Sequence, residues 1–349
     1  MTRWLALISL GCTLAFALPQ TASAHTSEIV APGDLMHHWV PDPVVVIGAL
    51  IAGALYLLGN GRLREVGRHT GRGPIISPLR VACFWSGLVV LLIALASPLD
   101  TATATVFSAH MIQHVLLIAV APPLILLGNP LAVMMNGLPR SWRRPLTQLP
   151  HRIPGLDTII RTITQPVVAF LLHLAAVWFW HVPSLYDAAV QSERIHFLEH
   201  LSFVATAFCY WWAIIPMGGR ARHTISPPLG ILSVFAMGMQ GVALGAILTF
   251  SGSVIYPVYL DRSDLWGISA LSDQRLAGLI MWIPAGSVYV AIALVLLATW
   301  FRRDEAPTST PAGPALVMTS STPEVATVPV RTPSAWEGRS AERHLPGEA

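Results

Sequence analysis

Apolar residues along the chain gather into seven runs, at residues 44–58, 79–97, 108–127, 166–181, 197–216, 229–250 and 276–301, separated by shorter polar segments. A helix needs about 20 apolar residues to cross a hydrocarbon core of roughly 30 Å. Five runs meet that length or approach it. The first and fourth are short and are expected to borrow flanking residues or to lie against other helices. The pattern predicts an all-α fold, a polytopic membrane helix bundle of about seven transmembrane helices. The long connection at 128–165 holds several prolines, Trp142 and five arginines (Arg140, Arg143, Arg144, Arg152 and Arg161), and is predicted to lie along the headgroups as broken interfacial helices.

The two ends read differently. Residues 1–24 combine Arg3, an apolar stretch and Ala22-Ser23-Ala24, the pattern of a secretory signal peptide, with an uncleaved anchor as the alternative. Cleavage would leave His25 as the mature N-terminus. Residues 25–43 then form an outer segment, 44–303 the membrane domain, and 304–349 a tail rich in Pro, Thr, Ser and Ala that is expected to be disordered.

Composition sharpens this picture. With 54% hydrophobic and 11% charged residues and a mean hydropathy of +0.60, there is too little polar surface to cover a soluble globule. The net charge of +3 does not point to nucleic acid, because no basic face with interleaved aromatics appears. Instead, arginines fill alternate connections: Arg62 to Arg72, Arg140 to Arg161, Arg220 with Arg222, and Arg302 with Arg303. Positive-inside bias therefore predicts an inner-membrane, multi-pass protein with its N-terminus outside and its C-terminus cytoplasmic. Cys12 falls in the leader and Cys83 and Cys209 in runs, with no CxxC spacing, so neither a disulfide framework nor a thiolate metal site is predicted.

The candidate chemistry is histidine. His110 and His114 open the third run at its outer end, four residues apart, a spacing that stacks both rings on one helix face. His181 closes the fourth run at that level, and His196 with His200 open the fifth with the same spacing. Ionisable groups at membrane depth are functional candidates by default. His173 lies two turns below His181, where a lone histidine is commonly an interhelical hydrogen bonder. Five gathered at one depth point beyond that reading. His25, Met36, His37 and His38 of the outer segment are possible accessory ligands. Met281, in the last run, offers a thioether, and imidazole with thioether leans towards copper without excluding zinc or haem. Paired spacing argues against haem first, since two histidines on one helix face cannot lie on opposite sides of a porphyrin.

Glu199 and Asp273 are candidates to orient a ligating imidazole; a helix-capping role is the alternative for Asp273. His196 to His200 also reads H-x-x-E-H, the inverted zinc-peptidase order, but no downstream acidic ligand accompanies it. Pro122 and Pro123 are expected to kink or open the helix that carries His110 and His114.

SPL at 97–99, SAHMIQHVLL at 108–117, APPLILLGNP at 121–130, HFLEHLSF at 196–203, WW at 211–212 and DQRLAGLIMW at 273–282 together resemble the polytopic CtaG family of cytochrome c oxidase assembly factors. The resemblance covers about residues 35–302. It implies a membrane-bound assembly factor without catalytic turnover, which binds copper and delivers it to the catalytic subunit of a haem-copper oxidase, with a copper donor protein as a possible second partner. The family's histidine pattern falls on His110, His114, His181, His196 and His200, with Asp273 and Met281 in the last motif. The alternatives are a copper transporter of the inner membrane, a haem-binding membrane redox protein, and a metal-free assembly scaffold.

Overall fold

The computed structural model describes residues 29–39, 41–71, 73–215 and 225–304. Nearly all of these residues are helical. In chain order the helices are α1 Pro43–His69, α2 Pro78–Leu95, α3 Pro98–Thr103, α4 Phe107–Val115, α5 Ala121–Leu127, α6 Pro130–Gly137, α7 Arg140–Arg152, α8 Leu156–Ile163, α9 Pro166–Trp180, α10 Pro183–Gln191, α11 Glu193–Ile214, α12 Pro227–Phe250 and α13 Ala270–Asp304. The signal peptide expected at 1–24 and nearly all of the tail expected at 304–349 lie outside the described residues.

Proline sets many of the starts. It stands at the first helical position of α1, α2, α3, α6, α9, α10 and α12, where its fixed φ suits the helix and its missing N–H would be unpaired anyway. Asp42, Ser77 and Ser97 precede three of these prolines and cap the helix with a side-chain oxygen.

Five helical stretches are long and apolar enough to cross a membrane: α1, α2, the continuous Phe107–Leu127, α12 and α13. The count is six if α8 and α9, which meet at 76°, form one bent span. The sequence pattern led to an expectation of seven, and the two shortfalls have plain causes. Helix α9 has 15 residues, too few alone. Helix α11 has 22, but His196, Glu199 and His200 lower its hydropathy. The connection at 128–165 is indeed broken into three short helices, although α6 packs on α1 rather than lying free. On α1, Ile47, Leu50, Ile51, Leu57 and Leu58 are exposed, a face suited to lipid rather than water.

The prolines at 122 and 123 are absorbed without a break. Leu116–Val120 forms a π-helical turn, and Ala121 N–H donates to the Leu116 carbonyl five residues back. Pro122 has no N–H to offer the Ile118 carbonyl. Trp211 Nε1–H of α11 donates to that carbonyl at 2.8 Å.

Helices pack through small residues. A Cβ on Gly59 of α1 would collide with the Val133 carbonyl of α6, and one on Gly137 of α6 would collide with the Leu55 carbonyl of α1. Such close approach compensates for the lack of a hydrophobic drive between helices in lipid. One apolar core joins α4, α9, α10, α11, α12 and α13, with Met111, Phe203, Trp211, Met237 and Met281 among its buried members. A smaller core joins α1, α2, α5 and α6 around Tyr56, Phe84 and Ile125.

Candidate metal centre

Helices α4 and α11 each present an i, i+4 histidine pair to the other. His110 and His114 have ring centroids 4.3 Å apart, and His196 and His200 4.1 Å. Across the interface His110 lies 5.0 Å from His196, and His114 lies 5.5 Å from His200. His181, at the end of α9, has its ring 6.4 Å from that of His114. The structure therefore brings together the five histidines of the sequence reading.

Glu199 stands among them rather than behind them. Its carboxylate is fully buried, with Oε1 3.6 Å from His114 Nε2 and Oε2 3.8 Å from His110 Nε2. These separations are too long for hydrogen bonds. They are close to the spacing of two atoms that share an ion, since ligands about 2.0–2.2 Å from one metal stand about 3.3–3.6 Å apart in a tetrahedron. Two overlapping triads, His110 with His114 and His200, and His110 with His196 and Glu199, each bring their ligand atoms within 4.8 Å of one another. His110 belongs to both.

The hydrogen bonds leave the inward ring atoms free. His181 Nδ1–H donates to the Val177 carbonyl at 2.7 Å, which fixes the tautomer and reserves Nε2. His110 Nδ1 lies 2.7 Å from Tyr186 Oη and 3.1 Å from Tyr259 Oη. Tyr259 donates its own proton to the Thr103 carbonyl at 2.9 Å, so its oxygen accepts from the imidazole. That assignment again frees Nε2 for a cation. The Nε2 atoms of His110, His114, His181, His196 and His200 and both oxygens of Glu199 are buried without a hydrogen-bond partner. An unsatisfied buried polar group costs about 1–3 kcal/mol, and a charged one more. So many on one locus form a cluster capable of holding a metal ion, and imidazole with one carboxylate is a donor set that fits one.

Asp273 takes a different place from the one anticipated. It bonds no imidazole; its two oxygens accept from Phe107 N–H at 2.6 Å and Ser108 N–H at 3.1 Å. It thus caps α4 from α13 and holds the helix start that aims His110. Gln274 beside it pins the connection after α12, donating to the Leu248 and Ser253 carbonyls and accepting from Ile255 N–H. Met281 lies in the apolar core with Met111 and Met237.

The described accessory histidines belong to neither triad. Met36, His37 and His38 are exposed, on a segment tied to the bundle through Val30, which donates to Thr105 Oγ1 and accepts from Trp266 Nε1. His25 lies outside the described residues. His173 Nδ1–H donates to Thr206 Oγ1 at 2.9 Å, as expected of an interhelical hydrogen bonder, while its Nε2 is buried without a partner.

Sequence reasoning missed the tyrosines. Tyr186 of α10 and Tyr256 and Tyr259 of the Tyr256–Tyr259 turn are buried, and Tyr256 donates to the His181 carbonyl at 2.9 Å. Burial pushes the hydroxyl pKa of all three upward, so they remain donors. The available signal was two tyrosines three residues apart in a connection otherwise read as a loop.

A helical membrane protein with a buried His-rich cluster capable of holding a metal ion is the class that fold and site define. The chain belongs to the cytochrome c oxidase caa3 assembly factor (Caa3_CtaG) family, whose model matches residues 54–303. It is similar to an uncharacterised protein of Mycobacterium leprae, 25% identical over 278 residues, covering 76% of this chain and 40% of that one. Uncharacterised proteins of Mycobacterium bovis and Mycobacterium tuberculosis match at 25% identity over 275 residues, with the same shares covered. The chain thus spans well under half the length of these relatives. No solved structure matches.

Proposed function

We propose that this protein is an assembly factor of the bacterial inner membrane that holds copper at the His110, His114, His181, His196 and His200 cluster and passes it to the catalytic subunit of a haem-copper oxidase. The observation that carries the reading is the set of unpartnered imidazole nitrogens, three of them, on His110, His114 and His196, close to Glu199. The family match supplies the process. Copper is favoured over zinc because imidazole-rich sites accept it and the methionines of the adjoining core, Met281 above all, offer the thioether that copper(I) prefers. Glu199 supplies a negative charge that offsets the ion in a site of low polarity.

Delivery needs a site that releases its cargo. Five imidazoles and a carboxylate exceed the four ligands of a closed tetrahedral site, and two triads sharing His110 allow ligands to be exchanged one at a time. No covalent chemistry is involved, which accords with a family of assembly factors rather than enzymes. The arginine pattern supports a site that opens to the outer face, with all seven apolar runs, including α9 and α11, crossing the bilayer.

The test is oxidase maturation in cells whose own copy is deleted and replaced. Wild type should restore copper content and activity of the oxidase, while His110→Ala/His114→Ala, present at equal abundance in the membrane, should restore neither. Full restoration by the double variant would overturn the copper-carrying role and leave a metal-free scaffold.

A further inference from the structure

At the end of the bundle where α1 runs past its apolar stretch, a cavity of about 290 Å³ opens between α1, α6 and the start of α7. Its polar lining is Arg62, Arg140, Arg143 and Asn136, with Leu63 and Val66 of α1 among its apolar walls. No acidic side chain lines it. Glu65, close by in sequence, instead lies 4.0 Å from His69, outside the lining.

Two of the three guanidiniums are held in place by backbone. Arg62 Nη1 donates towards the carbonyls of Asn136, Gly137 and Leu138 at 2.6, 2.9 and 2.9 Å. Arg143 donates to the Asn136 and Leu138 carbonyls at 2.6 and 3.0 Å and to Asn136 Oδ1 at 3.3 Å. These carbonyls end α6, and a helix C-terminus carries only about half a negative charge. Arg140 makes no hydrogen bond or ion pair among the described residues. Most of the positive charge of these three arginines, two of them fixed, is therefore uncompensated among the described residues. The surroundings are those of a headgroup layer: Trp142 is 63% exposed beside the arginines, and exposed Leu57 and Leu58 lead from the cavity along α1. Tryptophan favours that depth, and basic pockets between helices there suit anionic headgroups.

We propose that this cavity is a binding site for the phosphodiester of an anionic phospholipid, with Arg62, Arg140 and Arg143 on the phosphate and the acyl chains along the apolar face of α1. The site is independent of the metal centre. It would tie the α1–α6 pair and the amphipathic α7 to the membrane surface through a bound lipid.

Arg140 is the discriminating position, because its removal breaks no side-chain hydrogen bond or ion pair among the described residues. The full chain, purified in detergent, is titrated with phosphatidylglycerol, phosphatidylcholine or inorganic phosphate, and lipid adducts are read by native mass spectrometry alongside copper content. Phosphatidylglycerol should be retained over phosphatidylcholine, Arg140→Gln should weaken it about fivefold, as loss of one arginine near a headgroup implies, and Arg140→Lys should restore most of it. Copper content should stay unchanged, which separates this outcome from the metal reading. Equal retention of the two lipids, or unaltered retention by Arg140→Gln, would overturn the proposal. Displacement of the lipid by millimolar phosphate would instead assign the pocket to a free anion and overturn its lipid character.

Discussion

Replacing His110 alone by Ala is expected to abolish high-affinity metal binding, whereas His196→Ala or His200→Ala should only weaken it. The difference follows from membership. His110 is the one residue common to both triads whose ligand atoms lie within 4.8 Å of one another. Its loss leaves neither intact, while loss of His200 spares the triad with Glu199, and loss of His196 spares the triad with His114. Removing a partner that only orients a ligand already lowers affinity about 10–100-fold, so deleting the shared ligand should exceed about a hundredfold. His110→Ala also removes the nearer partner of the Tyr186 hydroxyl, Nδ1 at 2.7 Å, and leaves it Tyr259 Oη at 3.4 Å. Competition of the purified protein against a chelator of known copper(I) affinity gives the number for each variant. Equal affinities across His110, His196 and His200 variants would show that the triads do not act as drawn.

Gly59→Leu should have the largest effect on folding. A Cβ at Gly59 meets the Val133 carbonyl at a distance no real contact allows, and the reciprocal obstruction holds at Gly137. Neither obstacle is a side chain that could swing aside; both are helix backbone. The helices must separate, which also withdraws the α6 carbonyls from Arg62. Overpacking commonly costs about 1–3 kcal/mol; at the upper end a chain of 349 residues would lose about 4 °C in unfolding midpoint. Gly61→Leu is the control, since nothing lies within 4 Å of a Cβ there. Thermal unfolding in detergent should drop for Gly59→Leu and hold for Gly61→Leu. Matching midpoints would mean that α1 and α6 are not in this contact.

The helical class, the apolar runs and the histidine cluster were legible because each rests on local pattern. Apolar length marks a helix in lipid, and arginine-rich connections sort the ends of the runs, so that His110, His114, His181, His196 and His200 fall at one level before any contact is known. What the pattern could not carry is partner choice over long separations. Asp273 reads as a carboxylate that orients an imidazole, or else as a cap for its own helix; that it caps α4, 166 residues away at Phe107, is a fact of packing. Tyr186 and Tyr259 were missed because a connection outside an apolar run is read as solvent-facing, yet α10 and the Tyr256–Tyr259 turn fold back over the histidines and are buried there. Glu199 reads from the sequence as an orienting carboxylate, since nothing local places it among the histidines. Only the packed arrangement, with histidines on both sides of it, makes that position tenable.

The π-helical turn at Leu116–Val120 gives the third apolar run an unusual kind of sensitivity. Such a turn houses one residue more than an α turn, so the histidine face above and the Pro122–Pro123 segment below are offset by about 100° from a continuous α-helix. Substitutions within the turn leave that offset alone. A deletion of one residue does not: with the regular period restored, the only ways to keep Trp211 on the Ile118 carbonyl would rotate His110 and His114 away from α11. The run is thus strict in length, and among relatives of this protein a one-residue gap between the second histidine and the paired prolines should mark a changed or lost metal site.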